Sequence, residues 1–115
     1  QFLEAQAKGD AAGMANATSA LRFHGGGHVN HSIFWTNLCP QKEGGGVVPE
    51  EGSPLGQQLK KDLGGVEEVI KRMNTLGTPL QGSGWVWLGY CRQEKRLKIT
   101  TMPNQDPLIT AGQVP

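Results

Sequence analysis

A chain of 115 residues, 37% of them hydrophobic, has the length and apolar content of one ordinary folded unit. Eleven Lys and Arg against ten Asp and Glu leave a formal net charge of +1, which gives no case for a nucleic-acid partner. No apolar stretch reaches the ~20 residues that a bilayer-spanning helix needs, and no basic-then-apolar leader opens the chain, so the sequence predicts neither a membrane span nor a signal peptide.

Phe2 to Lys8 reads as the last turns of a helix stopped by Gly9. Asp10 to Ala20 is small and polar and fits either a loop or a weak helix. The triplet Gly25-Gly26-Gly27 then makes a regular helix through His24 doubtful, while allowing close approach of a neighbouring backbone. From His28 to Leu38 the apolar residues Val29, Ile33, Phe34, Trp35 and Leu38 cover more than one stripe, which predicts a helix buried on several sides and ended by Cys39-Pro40. Gln41 to Pro54 is a glycine- and proline-broken loop. Leu55 to Leu63 and Val66 to Leu76 have helical spacing, with Gly64-Gly65 between them.

The period then changes from 3.6 to 2. Along Trp85 to Tyr90 the tryptophans Trp85 and Trp87 share one face, and Val86 and Leu88 the other. Leu97, Ile99 and Thr101 alternate with Lys98, Thr100 and Met102 in a second strand, with Cys91 to Lys95 as the hairpin loop. Pro103 to Pro107 reads as a turn and Leu108-Ile109 as the opening of another extended segment. Helices first and strands after argue for an α+β fold. Cys39 and Cys91 lack metal-type spacing and read as reduced thiols.

Three histidines carry the chemistry. His24, His28 and His31 are spaced i, i+4 and i+7, so a helix beginning early enough could offer all three to zinc or another divalent ion. The competing reading is that each is a hydrogen-bonded structural residue. No hydrolase motif accompanies them.

Four separated blocks of the chain resemble the iron/manganese superoxide dismutases, and manganese members most. These are Ala20-Leu21-Arg22-Phe23, the run from Gly25 through His28, His31 and Trp35 to Leu38, the run Gln81 to Tyr90, and Asn104-Gln105-Asp106-Pro107-Leu108. The resemblance implies that residues 1–39 are the remainder of an N-terminal helical hairpin carrying the His31 helix. Residues 40–115 would be the first part of a C-terminal α/β domain.

It also implies roles. His31 matches a metal ligand and His28 a histidine that is not one. Gln105 matches the glutamine that hydrogen-bonds the metal's bound solvent, where a neutral amide tunes the potential without adding charge. Trp35, Trp85 and Trp87 match aromatic residues around the pocket. In the iron enzymes the glutamine comes from the position of Gly27; here it comes from the strand end, which is the manganese arrangement, with iron as the alternative metal.

The implied reaction is disproportionation of superoxide to dioxygen and hydrogen peroxide by a homodimer or homotetramer. The implied setting is the mitochondrial matrix, or the cytoplasm of a bacterium. The rival reading is a dismutase-like structural subunit without catalysis. The family's other three ligands would lie before Gln1 and beyond Pro115. The resemblance therefore implies an internal segment that by itself has little activity and marginal stability. His24, where the family has asparagine, and Gly65, where serine often caps the next helix, depart from the pattern.

Overall fold

In the computed structural model, which describes residues 1–115, a long helical arm leans on a small sheet backed by two further helices. Helix α1 spans Phe2–Ala7. Helix α2 spans Ala11–Ala20 and begins where Asp10 accepts a hydrogen bond from the Gly13 N–H at 2.9 Å, a side-chain N-cap. The weak-helix reading of Asp10 to Ala20 is therefore the correct one.

The glycine triplet does not break the chain's course. A π-helical turn over Leu21–Gly25 carries α2 directly into α3, Gly26–Thr36. The doubt about a regular helix through His24 resolves into a continuous helical course whose turn at His24 is π-helical. Glycine's entropic cost is offset by packing, because a Cβ at Gly26 would collide with the carbonyl oxygen of Gln105. The predicted burial of this helix on several sides is also corrected. Gly26 and Asn30 are buried, but Val29, Trp35 and Leu38 stand open, since the helix packs on one side, toward Trp85, Trp87 and residues 102–108.

After the loop, α4 (Pro54–Leu63) starts at Ser53, whose Oγ accepts from Gly56 N–H at 3.0 Å, with Pro54 in the first turn. Helix α5 spans Val66–Gly77. Gly64 and Gly65 between them have φ of +91° and +109°, so the sharp reversal uses two left-handed residues in succession. That explains glycine at 65, since a serine there would be strained.

Strands β1 (Gly84–Cys91) and β2 (Arg96–Pro103) form an antiparallel hairpin in which Trp85 faces Met102, Trp87 faces Thr100 and Leu88 faces Ile99. The two faces separate as the alternation predicts. Leu88, Leu97 and Ile99 pack on the core of Leu59, Leu63 and Val69 from α4 and α5. Trp85, Trp87 and Met102 pack on the other side with Leu108 and Ile33. Each buried aliphatic side chain in these clusters is worth about 1.5–3 kcal/mol.

The extended segment expected at Leu108-Ile109 is instead a 3-10 turn, Leu108–Ala111. It is followed by the two-residue strand β3, Gln113–Val114, which pairs with the far end of β1. On this turn Leu108 is buried in the core and Ile109 is exposed. The sheet order is β2-β1-β3. No helix is long and apolar enough to cross a membrane.

Candidate metal-side site

Helix α3, strand β1 and the turn after β2 meet around His31, Trp85 and Gln105. The Nδ1 of His31 lies 2.7 Å from the carbonyl oxygen of Gly27, one turn back on the same helix. That carbonyl can only accept, so Nδ1 carries a proton, and in the neutral ring the lone pair is then on Nε2. This is the tautomer a metal-binding imidazole requires, with the ring held by a backbone carbonyl.

The His31 ring meets the Trp85 indole edge-on at 5.1 Å, and Trp35 lies tilted at 6.4 Å. Trp85 in turn stacks on Trp87 at 5.1 Å and 16°. The tryptophans therefore differ in place. Trp85 touches the histidine, Trp87 is buried beside it on the same face of the sheet, and Trp35 is 63% exposed.

Gln105 is held at both its ends. Its Oε1 accepts the Trp85 indole N–H at 3.0 Å, and its backbone carbonyl accepts the Asn30 amide at 3.0 Å. Since Oε1 faces a pure donor, Nε2 is the end left to donate elsewhere. The Gln105 side chain also rests against Gly27, where an added Cβ would sit 3.4–3.5 Å away. Position 27 and Gln105 therefore border the same space.

Sequence reasoning missed Asn30, which is 0% exposed and joins the helix to Gln105. An asparagine one helical turn after Gly26, on the glycine-lined side of the helix, is the signal that could have found it. Its Oδ1 and the Nε1 of Trp87 are buried without a hydrogen-bond partner in the chain, one an acceptor and the other a donor. Arg22 and Asp106 form an ion pair across the same helix-to-turn junction. The Arg22 guanidinium holds the Asp106 carboxyl below the usual carboxylate range, and Asp106 raises Arg22 in return.

The three histidines do not converge. His24 and His28 are exposed, His24 lies against Phe23, and no group of three His, Cys, Asp or Glu side chains is arranged to hold an ion. Cys39 is exposed and Cys91 buried, both as free thiols.

The family model described as "Iron/manganese superoxide dismutases, C-terminal domain" matches residues 50–115. The chain belongs to the iron/manganese superoxide dismutase family. The companion model of that family, its alpha-hairpin domain, matches residues 1–39. Among the relatives, "Superoxide dismutase [Mn] 3.4, mitochondrial" of Zea mays is 52% identical over 112 residues, covering 97% of this chain and 47% of the relative. "Superoxide dismutase [Mn], mitochondrial" of Oryza sativa subsp. japonica is 51% identical, covering 97% and 48%. "Superoxide dismutase [Fe]" of Tetrahymena pyriformis is 48% identical over 106 residues, covering 92% and 54%. The chain spans about half the length of these relatives.

Proposed function

We propose that this chain contributes one wall of a redox-metal centre that disproportionates superoxide, with His31 as a manganese ligand through Nε2. The observation that carries the reading is the His31 ring, fixed by the Gly27 carbonyl in the metal-binding tautomer and placed against the Trp85 that also holds Gln105. One imidazole does not retain a manganese ion against water, so the remaining ligands come from outside residues 1–115. A bound manganese ion would supply the reversible one-electron exchange that two superoxide anions require.

The chain's own residues bind, orient and exclude water. His31 presents one lone pair at a fixed angle. Trp85 presents an apolar edge beside it and leaves less room for bulk solvent. Gln105 keeps Nε2–H as a neutral donor, able to favour one protonation state of a nearby oxygen without adding charge. Glycine at 27 with the glutamine at 105 supports manganese over iron, and the names of the maize and rice relatives support it too. The same names support a mitochondrial site of action. We place the domain division at residue 39/40 and propose a homodimer or homotetramer.

The complete protein that carries this chain tests the reading. Expressed in manganese-supplemented medium, it should hold close to one metal per chain and consume superoxide, and His31→Ala should lose both. Metal content unchanged in His31→Ala, or an unaltered protein that holds manganese but leaves superoxide untouched, would sink it. The latter outcome is the one a structural subunit would give.

A further inference from the structure

One cluster at the helix-to-turn junction has no part in the chemistry above. Arg22 Nε donates to Asp106 Oδ1 at 2.7 Å and Nη2 to Oδ2 at 2.5 Å, a two-pronged fork between residues 84 apart in sequence. The partners are unequally placed. The Arg22 side chain is 72% exposed, while that of Asp106 is 14% exposed. A carboxylate so withdrawn from water depends on its counter-charge far more than the guanidinium does.

The fork belongs to a row. Arg22, Gly26 and Asn30 recur every four residues along the continuous helix, and all three face residues 105 and 106. Arg22 grips the Asp106 side chain, Gly26 admits the Gln105 carbonyl, and Asn30 donates to that same carbonyl. On the other side, the Asn104 N–H donates to the Ser83 carbonyl at 2.8 Å, and Ser83 Oγ donates to Asn104 Oδ1 at 2.9 Å. Asp106 N–H closes the turn on the Pro103 carbonyl at 3.1 Å. Gln105 thus sits between a residue moored to the sheet and a residue moored to the helix.

We propose that the Arg22–Asp106 fork is a positioning device for Gln105, setting how far the turn stands from α3 so that Oε1 stays on the Trp85 indole and Nε2–H stays free. Arg22 and Asp106 act through Gln105 and touch no reacting atom. The proposal rests on the reading of Gln105 as the residue that tunes the redox centre. Arginine suits the role because its planar fork fixes both distance and angle, whereas lysine supplies a point charge alone.

The test uses the complete protein without metal, so that it stands apart from turnover. The readout is the proton on Trp85 Nε1, followed by NMR for its shift and its exchange with solvent. Arg22→Ala should move that resonance and speed its exchange about fivefold, as expected when one charge-assisted contact to a mostly buried carboxylate is lost. Backbone amides of Leu88 and Tyr90 in the same strand should keep their protection. Arg22→Lys should fall between the two. Glu94→Ala, which breaks the Lys98–Glu94 pair at 2.7 Å elsewhere on the surface, should leave Trp85 unchanged.

An unmoved Trp85 proton in Arg22→Ala overturns the proposal. So does a parallel loss of protection along β1, which would make the fork an ordinary stability contact. With manganese loaded, Arg22→Ala should also shift the pH profile of superoxide consumption, and an unshifted profile would overturn it as well. An unaltered protein inactive toward superoxide fails the redox reading alone, because the Trp85 proton still reports on the fork.

Discussion

Trp85 Nε1 and Gln105 Oε1 lie 3.0 Å apart, with the indole donating. Because an indole N–H can only donate, this contact decides which end of the glutamine amide faces the aromatic wall. It also ties β1 to the turn 20 residues later. Since Trp85 meets His31 at 5.1 Å, the histidine, the indole and the amide form one mechanical unit.

Trp85→Phe keeps an aromatic ring against Trp87 and His31 but removes the donor. We expect a loss of about 1 kcal/mol in stability, the usual net worth of one partly buried hydrogen bond, read from the urea midpoint. In the complete manganese-loaded protein the freed amide should shift the pH profile of superoxide consumption. An unchanged profile would show that Trp85 does not control Gln105.

Adjacent glycines should respond oppositely. A Cβ at Gly25 meets nothing within 4 Å, so Gly25→Ala should stabilise the continuous helix by about 0.5–1 kcal/mol. Gly26→Ala drives a methyl into the Gln105 carbonyl and should cost about 1–3 kcal/mol. Paired thermal unfolding curves check both, and equal effects would contradict the close approach described here.

Much of this arrangement was legible in the residues. The period-2 pattern from Trp85 to Met102 placed both tryptophans on one face because strand alternation leaves no other choice. The Val66 helix was legible for the same kind of reason, since Val66, Val69, Ile70 and Met73 repeat at 3.6. The Asp10 to Ala20 helix was ambiguous, because alanine, serine, threonine and asparagine give no apolar stripe and its tie is the Asp10 cap. The glycine triplet misled, as local propensity disfavours a helix there while the contact that demands glycine comes from Gln105, about 80 residues on. The roles of His31 and Gln105 came from resemblance. Asn30, Arg22 and Asp106 were hidden because each is defined by a partner distant in sequence.

Acid should loosen the chain at identifiable points. The Asp62 carboxylate accepts from Gln58 Nε2 at 2.6 Å within α4 and from the Leu97 backbone N–H at 2.7 Å, which ties α4 to β2, and both hold its pKa below the ordinary 3.8. Asp106 is lowered likewise by Arg22. For a carboxylate depressed in the folded state, the stabilisation is present above the unfolded value and is lost as pH falls through the folded one. Urea midpoints should therefore drop as pH is taken from about 5 toward 2. The double variant Asp62→Asn with Asp106→Asn should start less stable and show a flatter decline. A decline as steep as in the unaltered protein would remove these two groups as its source.

Leu108 and Ile109 are neighbours on one 3-10 turn with opposite fates, 1% and 69% exposed. Leu108→Ala should cost about 2–5 kcal/mol by opening a cavity beneath Trp87 and Met102. Ile109→Ala should change stability by no more than about 0.5 kcal/mol. Denaturant titration of the two variants checks this split in burial, and equal losses would contradict it.

The unbroken passage from α2 through the π-helical turn into α3 has a consequence for how this chain can change over time. A residue gained or lost in the loop before Pro54 alters only its length. One gained or lost between Arg22 and His31 rotates the two against each other by about 100° about the helix axis. Either Arg22 then swings away from Asp106, or His31 turns from Trp85. The span from Arg22 to His31 is therefore a gear of fixed tooth count, open to substitution and closed to insertion or deletion.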